Sequence, residues 1–128
     1  MKPSSAPTRT ILVIDDDPNI RELLRAALEE AGYAVRESHE GGHGLAIAKQ
    51  ENCALAMVDL FMPGKEWLET ILALRREIPT MKLIAMSGGS GHTDMLRAAT
   101  VFGADLTIYK PFDLNQLIRS IATLFETH

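Results

Sequence analysis

Three short runs of unbroken apolar residues constrain this 128-residue chain most, and each stops at an oxygen-bearing side chain. Ile11-Leu12-Val13-Ile14 ends at Asp15-Asp16-Asp17, Ala54 to Val58 ends at Asp59, and Leu83-Ile84-Ala85-Met86 ends at Ser87. None alternates polar with apolar, so none suits a sheet with one wet face. Such runs fit strands covered on both faces, as in a parallel sheet between helix layers. Ala34 to Ser38 and Leu106 to Lys110 are weaker strand candidates, expected nearer an edge.

Helix-period stretches lie between these runs. The clearest is Pro18 to Ala31, with Asp17 as cap, Pro18 at the first position and Gly32 at the end. Ile20, Leu23, Leu24, Ala27 and Leu28 share one face of it. The last helix starts at Asp113, with Gln116 three residues on in a capping-box-like pair. Further helices are predicted at Gly42–Gln50, Trp67–Glu77 and Gly91–Phe102, the first weakened by Gly42 and Gly44. The order is (βα)₅, an α/β doubly wound sandwich with right-handed crossovers.

Composition narrows the function classes. The net charge of -4 and pI ≈ 5.5 argue against a nucleic-acid-binding surface. The single cysteine, Cys53, sits in an apolar run and reads as a buried thiol, consistent with a cytoplasmic chain. No apolar run approaches the ~18–20 residues that span a bilayer, so no membrane insertion is expected. Residues 1–9 read as a flexible leader without secretory features, and 10–128 as one domain.

The chemistry collects at the strand ends. In an open α/β sheet, ligands bind outside the carboxyl ends of the strands. There the first strand presents three aspartates, the third Asp59, the fourth Ser87 and the fifth Lys110. Clustered carboxylates disfavour full ionisation, and a hard divalent cation such as Mg²⁺ relieves this. A lysine and a hydroxyl facing the same space suit phosphoryl oxygens, and one carboxylate would remain as nucleophile.

The segments ILVIDDDPNIREL, MVDLFMPG, IAMSGG and YKPFD occur in this order. Together they resemble the receiver domain of two-component response regulators over residues 10 to about 126, in the manner of single-domain chemotaxis regulators. The resemblance implies a flavodoxin-like fold with a five-stranded parallel sheet in order 2-1-3-4-5. It implies Asp59 as phosphoacceptor, and Asp15, Asp16, Asp59 and the Phe61 backbone carbonyl as ligands to Mg²⁺, with Mn²⁺ as a substitute. Lys110 and Ser87 would contact phosphoryl oxygens, and Lys110-Pro111 resembles the family's cis peptide. The phosphoryl donor would be a histidine kinase or histidine phosphotransfer protein. The output would be a conformational change on the face of the fourth helix, fifth strand and fifth helix, read by a separate protein target or used for homodimer formation. Gly88 would lower the barrier to that change. The chain is thus expected to act as a stand-alone receiver and not as an enzyme, beyond catalysing its own phosphotransfer and dephosphorylation.

Two positions depart from the family pattern. Thr107 stands where receivers usually carry a switching aromatic, while Tyr109 directly precedes Lys110. After Met62-Pro63-Gly64 the family tends to have Asp-Gly, and here Lys65-Glu66-Trp67 follows, placing Trp67 beside the site. Two other readings stay open. One is a receiver-fold binding module that works without phosphorylation. The other is a haloacid-dehalogenase-type phosphatase using Asp15, although Asn19 stands where that motif prefers Thr or Val.

Overall fold

The computed structural model describes residues 8–60, 67–88 and 93–126, in which five strands alternate with five helices. These are β1 (Thr10–Ile14), α1 (Pro18–Glu30), β2 (Ala34–Ser38), α2 (Gly41–Gln50) and β3 (Leu55–Asp59), then α3 (Trp67–Glu77), β4 (Lys82–Gly88), α4 (Thr93–Phe102), β5 (Leu106–Lys110) and α5 (Leu114–Glu126). All strand pairs are parallel and the order is β2-β1-β3-β4-β5. This is the doubly wound sheet that the unbroken apolar runs imply. The two weaker runs are indeed its edges.

Alternation along each strand divides the core in two. Val13, Met57 and Met86 face a cluster closed by Leu24, Leu28, Leu117 and Ile121 of α1 and α5. Ile14, Val58 and Ala85 face the opposite cluster, closed by Ala48, Ile71, Leu74 and Leu96 of α2, α3 and α4. Central β3 is buried along its whole length, whereas every residue of β5 keeps some exposure. Among the described residues, no helix is long and apolar enough to cross a membrane.

Local chemistry fixes the helix ends. Asp17 caps α1 by accepting from the Asn19 N–H at 2.9 Å, and Gly32 after its end adopts φ 102°. Asp113 caps α5, accepting from the N–H groups of Asn115 and Gln116. Helix α2 forms despite its glycines because close packing needs them. A Cβ on Gly44 would stand 2.5 Å from Ile14 Cδ1, and one on Gly41 would overlap Thr70 Oγ1. Leu23, expected on the buried face of α1, is 47% exposed, because the packed face is set by Leu24 and Leu28. Arg9, placed by sequence in the leader, joins the fold: its carbonyl accepts from Ala34 N–H at 2.9 Å, and its guanidinium lies 4.4 Å over the Phe125 ring. Residues 1–7 of that segment lie outside the described residues.

Candidate functional site

The register of β1 and β3 sets the site. Ile14 is level with Val58, so Asp15 and Asp59 follow side by side at the carboxyl edge. Asp15 is fully buried, Asp59 is 3% exposed, and Asp16 is exposed. One carboxylate oxygen from each of the three lies within 4.8 Å of the others. Among the described residues the side-chain oxygens of this group are all carboxylate, a hard set that fits a small divalent cation, with exposed Asp16 on the solvent side.

Lys110 reaches this cluster from the far edge strand. Its Nζ donates to Asp15 Oδ2 at 2.8 Å and pairs with Asp59 Oδ2 at 3.4 Å. Burial works against the ammonium, but the hydrogen bond to Asp15 and the fields of Asp59 and Asp15 outweigh it, so Lys110 titrates above an ordinary lysine. Its Cα partner in β4 is Gly88, where a Cβ would make only ordinary contact with the lysine stem. The Lys110-Pro111 peptide is cis.

Ser87 is fully buried at the end of β4 and is level with Tyr109, which is half exposed. Thr107 is level with Ala85 and only partly buried. Trp67 opens α3, partly buried against the core on the α2–α4 side. Phe61, Met62, Pro63 and Gly64, together with Lys65, Glu66, Gly89 and Gly91, lie outside the described residues. The structure thus brings Asp15, Asp16, Asp59 and Lys110 together at one rim. Asp17, adjacent in sequence, serves the helix end instead.

Sequence reasoning missed the residues behind Asp15. The Asp15 N–H donates to the Ser38 carbonyl at 3.0 Å, and its own carbonyl accepts from Arg21 Nη1 at 2.6 Å. Arg21 Nε also donates to Glu37 Oε1 at 3.1 Å, and Arg25 pairs with the other Glu37 oxygen. The bond from Arg25 holds the Glu37 carboxyl below its ordinary value, with Arg21 adding to it against a burial penalty. An arginine on a helix carries no local sign that it turns toward a neighbouring turn. Only the β1–β2 pairing could have suggested it.

The sequence pattern of the response regulator receiver domain matches residues 11–122. Among curated proteins, the chain is 35% identical over 113 residues to the transcriptional activator protein PfeR of Pseudomonas aeruginosa, covering 88% of this chain and 36% of that protein. It is 32% identical over 111 residues to the phosphate regulon transcriptional regulatory protein PhoB of the same organism, covering 86% and 48%. The chain therefore spans about half or less of these relatives' length. A crystal structure of a CheY-like response regulator receiver domain protein from Methanospirillum hungatei superposes with a TM-score of 0.87 at 29% identity, covering 94% of this chain and 95% of the other. A response regulator from Thermotoga maritima gives 0.84 at 26% identity, covering 94% and 100%. Fold, site and sequence pattern agree that this chain belongs to the response regulator receiver domain family.

Proposed function

We propose that this receiver takes a phosphoryl group on Asp59 from the phosphohistidine of a histidine kinase or histidine phosphotransfer protein. In that step an Asp59 carboxylate oxygen attacks phosphorus, a P–O bond forms, and the P–N bond to the donor imidazole breaks. The departing ring nitrogen takes up a proton. Asp15, Asp16 and Asp59, with the Phe61 carbonyl, would hold Mg²⁺, which when bound supplies neutralisation of phosphoryl charge.

The observation that carries this reading is Lys110 Nζ lying between Asp15 and Asp59 beside the three-carboxylate group. An ammonium already paired with both carboxylates needs only a small movement to follow charge onto a phosphoryl oxygen of modified Asp59. Ser87, buried on the neighbouring strand end, would donate its hydroxyl to another. Tyr109 shares the Ser87 level and Thr107 its face of β5, so a shift at Ser87 is passed to the edge strand and the α4–β5–α5 face. That face would then engage a protein target or a second copy of the chain.

The test is incubation with Mg²⁺ and acetyl phosphate, followed by assay for an acid-labile phosphoprotein. The wild-type chain and Asp15→Asn, Asp59→Asn variants are compared. Loss in Asp59→Asn is expected. Loss only in Asp15→Asn would place the nucleophile on β1 and overturn the assignment. The fluorescence of Trp67, the single tryptophan, is expected to respond to Mg²⁺ or beryllofluoride. A phosphorylated chain with unchanged NMR spectrum and partner affinity would instead favour a binding module indifferent to phosphorylation.

A further inference from the structure

We infer that Arg21 is a positioning residue that sets the aim of the Asp15 carboxylate. The inference rests on the proposed role of Asp15 at the cation site, but its geometry stands without a cation.

Asp15 belongs to the turn between β1 and α1, where backbone groups have no ladder to hold them. Three contacts fix it. Its N–H is tied to Ser38 at the end of β2, its carbonyl to Arg21, and its side-chain Oδ1 to the Asp17 N–H at 2.9 Å. With both flanking peptides held, the carboxylate has little freedom other than to offer Oδ2 to Lys110.

Arg21 is itself held from behind. Its fork spans the Asp15 carbonyl and Glu37, and Glu37 is gripped in turn by Arg25, which also pairs with Glu29 at 2.9 Å. A chain of alternating charge therefore runs from the surface of α1, through β2, to the main chain of Asp15. Glu37 has a second effect. It counters the guanidinium charge, which would otherwise oppose a cation at the carboxylates.

Positioning and plain electrostatics predict opposite signs. If Arg21 acted only through its charge, its removal would tighten Mg²⁺ binding. If it aims Asp15, removal weakens binding, by about 10–100-fold as for other outer residues of metal sites. The variants are Arg21→Met, Arg21→Lys and, as a milder perturbation, Glu37→Gln. Mg²⁺ chloride is titrated by amide NMR, and hydrogen exchange of the Asp17 N–H is measured without metal.

Arg21→Met is expected to weaken Mg²⁺ binding and to speed Asp17 exchange about tenfold, with exchange of the Val13 and Met57 amides unchanged. Arg21→Lys should recover only part, since an ammonium cannot fork between two acceptors. Glu37→Gln should move both readouts less, in the same direction. Unchanged or tighter Mg²⁺ binding in Arg21→Met would overturn the inference, as would Asp17 exchange equal to wild type. Should Arg21→Met not fold, Glu37→Gln decides by Asp17 exchange alone, since loss of its charge would itself weaken Mg²⁺ binding. A wild-type chain that ignores Mg²⁺ would refute the cation site, while Asp17 exchange would still judge Arg21.

Discussion

The two edges of the sheet are held by different means. At the β2 edge, charged side chains knit strand to helix: Arg21 and Arg25 with Glu37, and Arg36 with Glu51 at 3.1 Å. At the β5 edge, the strand is partly exposed throughout, and open grooves of about 370 and 500 Å³ run between it and α5. Besides its ladder to β4 and the Lys110 ion pairs at its far end, side chains also brace the strand where it begins. There Arg75 of α3 donates to the carbonyls of Pro79, Met81 and Gly103 and pairs with Asp105, whose carboxylate also accepts from Leu83 N–H. The braced edge stands behind Asp15, which must keep its aim. The open edge carries Lys110 and the half-exposed Tyr109.

Removing the Arg75 attachment should break the contrast most. Arg75→Ala leaves several acceptors without a donor and is expected to cost about 2–4 kcal/mol of stability. Denaturant unfolding measures this, and hydrogen exchange should rise in β5 more than in β2.

Next in size is an alkaline effect on the β2 side. Burial pushes the Cys53 thiol up from 9.0 to about 11, with Arg36 opposing and Glu51 adding. The unfolded chain ionises first, so the thiol's contribution is constant below about pH 9 and stability falls as pH rises toward 11, by roughly 2–3 kcal/mol. Cys53→Ala should flatten that slope in unfolding curves taken at several pH values, and the native thiol should resist alkylation at neutral pH.

The Glu37 network gives a smaller effect of opposite direction. Its carboxyl is held below the ordinary 4.5, so the pairing contributes above that value and is lost as pH falls through the lowered one. Because the side chain is partly exposed, about 0.5–1 kcal/mol is expected. Glu37→Gln should remove this acid dependence. Smallest is Tyr109→Ala at the open edge, within about 0.5 kcal/mol of wild type. A large loss there would show that β5 is braced after all.

The apolar runs revealed the strands because burial on both faces leaves no ambiguity of register or layer. The edges were legible for the complementary reason: Ala34–Ser38 and Leu106–Lys110 carry polar residues that a central strand would not tolerate. Asp15, Asp16, Asp59 and Lys110 could be brought to one rim on paper, since parallel topology sends every strand's carboxyl end the same way. The braces could not. Arg21 holds one main-chain carbonyl and Arg75 three, groups that every residue has, so no pattern of residue types marks them. The glycines of α2 misled for a related reason. Helix propensity counts their cost within the helix, but not that Gly44 lets α2 lie against Ile14. Leu23 fitted the helical period, yet the apolar stripe there is wider than the surface that covers it.

One consequence follows from Lys110 standing between Asp15 and Asp59. By formal charge, three aspartates against one lysine leave an excess of two negative charges at the rim. One divalent ion cancels these, whereas a monovalent ion leaves a residue and a trivalent one an excess. If the cluster holds a cation as proposed, this charge favours a divalent one, and the lysine, as much as the aspartates, sets that preference.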